Sequence, residues 1–156
     1  MRLPHSLLPL LLLAVGCGGV ASAPPELTVA ALTFTPSPGK ARLYVYRPSR
    51  VFGSVARLKV AIDSQVVGKT ASGTFLMVEV EPGSHRISGV TSESEQGVDI
   101  EASADSSYFF KIWPKVGVVS ARSGVERVEA AEGRREIQKS RMVPATWPGE
   151  RVAMDF

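Results

Sequence analysis

The chain has 156 residues, enough for one domain of ordinary size after an export segment and too few for two. Hydrophobic residues make up 44%, a globular share, and 14 Gly with 11 Pro suit short strands joined by tight turns. The net charge of +3 is small and its signs are interleaved; with no basic stripe and no recognisable module, no nucleic-acid partner is expected.

Residues 1–16 read as an export signal. Met1 to Ser6 is short and basic, and Leu7 to Val15 (LLPLLLLAV) is an apolar run too short to span a bilayer. Ala14-Val15-Gly16-Cys17 then resembles the bacterial lipobox, in which cleavage precedes a cysteine that carries diacylglycerol. Cys17 is the single cysteine, so no internal disulfide is available to it. Several acyl chains at about 0.8 kcal/mol per buried methylene make a stable anchor where one chain is marginal. A rival cut after Ala21-Ser22-Ala23 leaves Pro24 first, which the peptidase disfavours, and discards the cysteine. The expected location is the bacterial envelope, lipid-anchored at the outer membrane and facing the periplasm. The alternative is a secreted or soluble periplasmic protein.

Residues 17–40 carry the lipidated cysteine and a tether whose small residues and prolines suit a semi-extended chain. Within it Leu27 to Phe34 (LTVAALTF) is more apolar than a tether needs; it reads either as a short strand or as a segment docked on the domain.

Residues 41–143 read as a β-sandwich. Ala41 to Pro48 alternates, with Leu43 and Val45 on one face and Tyr44 and Tyr46 on the other. Leu58, Val60 and Ile62 form the inner face of a second strand, and Asp63-Ser64 turns the chain into Gln65 to Thr70. Phe75 to Val80 follows with Leu76, Val78 and Val80 inward. Glu81-Pro82-Gly83-Ser84 then turns into His85 to Val90, with Ile87 inward. Thr91 to Gln96 reads as an exposed loop before Val98, Ile100 and Ala102. In Ser107 to Trp113 (SYFFKIW), Tyr108, Phe110 and Ile112 oppose Phe109, Lys111 and Trp113, which predicts a central strand covered on both sides. Shorter strands are expected at Val116 to Ser120 and Val125 to Val128, then a helix over Glu132 to Met142 stopped by Pro144. Residues 144–156 form a tail without period. The fold class expected is all-β, an immunoglobulin-like or transthyretin-like sandwich of about seven or eight strands with one short C-terminal helix.

The succession ARLYVYRP, LKVAIDSQVVGKTASGTFLMVEVEPGSHRI, SYFFKIWP and VERVEAAEGRREIQ resembles a family of bacterial lipoproteins, the domain of unknown function 2846 family, over roughly Ala41 to Val143. Its middle, VAIDSQVVGKT with VEVEPGSHRI, is similar to the small envelope β-module PEGA. The resemblance implies a sandwich and brings no reaction, ligand or catalytic residue.

The residues themselves supply little catalytic chemistry. His85 is the one histidine after the signal, so no ordinary metal site is anchored by it; a role bonding across the turn or strand pair is the expected one. No glycine-rich phosphate loop or Gly-x-Ser-x-Gly elbow occurs, and no cofactor is expected. Arg134, Arg135, Lys139 and Arg141 form one basic concentration, read as a solvated helix face or as a contact for phospholipid headgroups or an anionic polymer. Tyr44, Tyr46 and Trp113 are the candidate binding face for a glycan or peptide, against packing beneath a helix or tail. The first expectation for function is a non-enzymatic, lipid-anchored envelope protein that binds a protein partner or scaffolds an assembly. A glycan- or small-ligand-binding module is the alternative, and a hydrolase the third.

Overall fold

A computed structural model of the chain describes residues 20–50, 56–92, 95–115 and 122–148. Among these residues, nine strands form two sheets. β1 (Ala41–Arg47), β4 (Thr74–Val80), β7 (Ser106–Lys115), β8 (Arg122–Val128) and β9 (Arg141–Met142) make one, in the order β8-β7-β1-β4-β9. β2 (Leu58–Ile62), β3 (Gln65–Thr70), β5 (Gly83–Val90) and β6 (Glu95–Ala102) make the other, in the order β3-β2-β5-β6. Two short helices, α1 (Pro25–Leu32) and α2 (Ala130–Ile137), complete the architecture: an all-β sandwich with a helix near each end.

The alternation in the sequence sorts side chains into two cores. Leu43, Val45, Leu76, Val78, Phe110 and Ile112 from the larger sheet meet Leu58, Val60, Ile62 and Ile87 from the smaller one. The opposite face of the larger sheet carries Tyr44, Tyr46, Phe75, Met77 and Phe109, which form a second cluster with Ala31 of α1 and Ile137 of α2. β1 is therefore buried at every position, as a strand covered on both faces must be. Ser123 on β8 ties the sheets together, its hydroxyl donating to the Gly89 carbonyl at 2.6 Å.

Several segments differ from the sequence reading, each for a physical reason. Leu27 to Phe34 is not a strand; it lies largely in α1, which starts with Pro25 at its first turn and Glu26 beside its positive end. Val29 is 68% exposed and Leu32 37%, so the apolar residues of this helix do not gather on one face. α1 is docked by polar contacts: the Tyr44 hydroxyl donates to the Ala31 carbonyl at 2.6 Å and the Arg42 guanidinium to the Ala30 carbonyl at 3.1 Å. Both carbonyls lie in the last turn of the helix, where they also accept the Thr33 and Phe34 N–H groups, so each takes a second donor from β1. The chain meets the domain even earlier, because the Ala23 N–H donates to the Met142 carbonyl at 3.0 Å. The segment from Val20 onward, expected as part of a semi-extended tether, thus lies against the domain.

The C-terminal helix is shorter than expected. It stops at Ile137, and Arg141–Met142 adds to β4 as a parallel strand. Met142 joins the cluster under the helices while Val143 joins the core between the sheets. Consecutive residues on opposite sides of a sheet are what a strand provides and a helix does not. Glu95 and Gln96, expected in a loop, already pair with Val90 and Gly89. The tail packs back as far as Trp147: the Thr146 N–H donates to Val67 at 2.7 Å, and Ala145 and Trp147 lie against the main core. The strand expected at Val116 to Ser120 falls outside the described residues, as does Cys17.

Candidate functional site

The outer face of β7 carries Phe109, Lys111 and Trp113 in alternation, and its two ends have different fates. Phe109 is roofed. Its ring stacks on Tyr44 at 5.1 Å with planes 7° apart, and α2 lies so close that a Cβ on Gly133 would sit 2.4 Å from it. Tyr46 is covered as well, its hydroxyl donating to Glu132 of α2 at 3.1 Å. Burial and the neighbouring Glu132 carboxylate push the Tyr46 phenol far above its ordinary range. Tyr44 and Tyr46 are fully buried, so the expected binding face is closed at both of these positions. The aromatic run supplies core where it passes under the helices.

Trp113 lies beyond that roof. Its indole rests on the backbone of Gly124, its cross-strand partner on β8, where a Cβ would approach to 2.4 Å. Glycine at 124 is therefore what lets the ring lie against the sheet. The Lys115 and Lys111 ammonium groups stand 5.2 and 5.7 Å from the ring centroid, within cation–π range. Lys111 also donates to Glu126 at 2.9 Å, which fixes one wall.

The other wall comes from the end of β1. Arg47, Pro48 and Arg50 face Lys111, Trp113, Pro114 and Glu126 across an open cleft of about 290 Å³. Arg47 is 3% exposed and donates from Nη1 to the Ala56 carbonyl at 2.6 Å. Burial first, and then the like charge of Arg57, hold its guanidinium below its ordinary pKa. Arg50 is exposed, and its backbone is pinned to Ser72: its N–H donates to Oγ at 2.9 Å, and the hydroxyl donates back to its carbonyl at 3.1 Å. The cleft thus combines a flat indole and two prolines with the cations Arg47, Arg50 and Lys111 against the carboxylate of Glu126. Such a lining suits an anion that also presents an apolar face.

Of the three aromatic residues anticipated as a binding face, the structure leaves Trp113 in an open site and separates it from Tyr44 and Tyr46. Arg47, Arg50 and Lys111 were not anticipated. A signal exists for Lys111 alone, in Lys111-x-Trp113-x-Lys115, which puts two cations either side of an aromatic residue on one strand face; Arg47 and Arg50 reach the cleft only through the fold.

His85 sits on the opposite side of the sandwich, in a shallow depression with Asp63, Ser84 and Glu101. Both ring nitrogens are engaged, Nδ1 with the Asp63 carboxylate at 2.7 Å and Nε2 with the Glu81 carbonyl at 2.8 Å. Burial pulls its pKa down, but these two acceptors outweigh burial and hold it above the ordinary 6.5. Asp63 also accepts the Arg86 N–H at 2.9 Å, so the histidine braces the β2–β3 turn, where Asp63 and Ser64 both have positive φ. The neighbouring Ser84 hydroxyl donates to Glu101, away from the imidazole. Among the described residues no three His, Cys, Asp or Glu side chains gather to hold a metal ion. No described helix is long and apolar enough to cross a membrane.

Comparison with known proteins places the chain. The family described as "Protein of unknown function (DUF2846)" matches residues 37–125, starting slightly before and ending well short of the span suggested by the sequence. The chain belongs to this family. It is also 29% identical over 138 residues to a Haemophilus influenzae protein described as uncharacterized, covering 88% of this chain and 82% of that one. No solved structure matches.

Proposed function

We propose that this member of the DUF2846 family is an exported lipoprotein of the bacterial envelope, held at the outer membrane by acyl groups on Cys17, that works by binding an anionic ligand in the Trp113 cleft. The cleft is the observation that carries the reading: an indole platform beside Arg50 and Lys111, open to solvent at the end of a rigid sheet. A sugar or glycerol unit resting on the indole would place an attached phosphate or carboxylate between the cations.

Binding is favoured over hydrolysis because the one histidine of the domain has both nitrogens committed to bracing a turn. The small-ligand reading is favoured over scaffolding because the Trp113 cleft is a formed concave site with converging cations. Two measurements test the proposal. Cys17→Ala should release the protein from the membrane fraction, and unchanged partitioning would end the anchor reading. A hexose phosphate titrated into the protein should shift the amide resonances of Lys111 and Gly124, and the neutral hexose should shift them far less. Equal responses to the two would end the anion reading.

A further inference from the structure

The register of the larger sheet brings the cleft and the point where the N-terminal chain leaves the domain to the same end of the molecule. Arg47 of β1 pairs with Thr74 of β4, and Thr74 pairs with Arg141 of β9. Arg47 and Arg141 are therefore two strand spacings apart, about 10 Å. On the other side Tyr46 pairs with Lys111, and β7 runs parallel to β1, so Trp113 lies two residues further toward that same end. The Arg141 guanidinium holds the N-terminal segment, donating to the Val20 carbonyl at 3.1 Å and to the Ser22 hydroxyl at 2.6 Å. Val20 itself packs on the main core. From Val20 back to Cys17 is three residues of chain, a reach of at most about 11 Å.

Resting on the reading of Cys17 as the lipid anchor, we infer that the Trp113 cleft is a headgroup site: it takes the phosphate of an anionic phospholipid in the membrane to which the protein is tethered. A short tether fixes which end of the sandwich meets the bilayer, and that end carries the cleft. Its charge is complementary to such a surface. Arg50, Lys111 and Lys115 lie at the cleft, and Arg141 holds the segment that leads to the tether. Cations within a Debye length of an anionic leaflet are attracted to it. Indole is also the side chain whose flat apolar body and N–H suit the headgroup layer. Of the basic concentration read from sequence as either a solvated face or a headgroup contact, Arg141 takes the second role, while Lys139 is paired with Glu136.

The test uses the lipidated protein reconstituted in vesicles of phosphatidylcholine alone and in vesicles of phosphatidylcholine with phosphatidylglycerol. Acrylamide quenching is measured on the natural chain and on Trp113→Phe, and the difference isolates Trp113 from Trp147. Quenching of Trp113 should fall at least about two-fold on the anionic vesicles, and Arg50→Glu, an exposed substitution outside both cores, should remove that protection. Equal quenching on the two vesicles overturns the inference. Equal protection by inorganic phosphate added to the neutral vesicles also overturns it, since the cleft would then take a soluble anion. The anchor is judged separately: Cys17→Ala should no longer float with phosphatidylcholine vesicles. If it still floats, the anchor reading fails while the comparison of Trp113 on the two vesicles stands on its own.

Discussion

Phe109 and Trp113 stand four residues apart on the same face of the same strand, yet one is core and the other is a platform. Phe109 is stacked on Tyr44 and pressed by Gly133 of α2, while Trp113 rests on Gly124 and opens to a cleft. Alternation along β7 decides only which face a side chain takes. Whether that face is covered is decided by α1 and α2, elements about 80 residues before and 20 after it in the chain. An aromatic pattern therefore marks a binding face only where the fold leaves it without a roof.

Substitutions at the two ends should separate these roles. Phe109→Ala empties a closed core and should cost about 3–5 kcal/mol in denaturant unfolding, whereas Trp113→Ala should cost no more than about 1 kcal/mol. A similar loss at both positions would erase the distinction. Gly133→Ala comes next. Alanine favours a helix interior by up to about 1 kcal/mol, but its Cβ would overlap Phe109, so a net loss of about 1–3 kcal/mol is expected. A gain in stability would show that α2 is not held against the ring. Tyr44→Phe keeps the stack and removes the hydroxyl that holds Ala31, for a loss of about 1 kcal/mol together with faster amide exchange in α1.

The smallest expected effect lies on the far sheet, at His85. Its folded pKa is raised above 6.5, so the stabilisation it contributes is fully present below pH 6.5 and fades as pH rises through the folded value. The stability difference between the natural chain and His85→Ala should accordingly narrow from acid toward alkaline pH. A difference that widens with pH would contradict the imidazolium bridge between Asp63 and Glu81.

Much of the sandwich was legible because its strands obey a period of two: Leu43 and Val45 against Tyr44 and Tyr46, and Phe110 and Ile112 against Phe109 and Lys111, fall on the faces that the alternation predicts. The Asp63-Ser64 turn was legible through its residue types. α1 was not, because Val29 and Leu32 are apolar and exposed, which blurs the contrast that marks a helix face. β9 has two residues, shorter than any period, and exists because Met142 and Val143 are drawn into different cores. The cleft was legible only at Trp113. Its other wall comes from the end of β1, more than 60 residues earlier, and only the parallel pairing of β1 with β7 brings the two together.

Anion binding at this open end is the proposed activity of the molecule. Its most direct test is a chemical-shift titration of the natural chain and Arg50→Glu with the same hexose phosphate, following Lys111 and Gly124. Removing a charged hydrogen-bond donor worth about 1.5–3 kcal/mol should weaken binding at least about tenfold, with the unfolding midpoint unchanged. Equal affinity in the two proteins would contradict the assignment of the cleft.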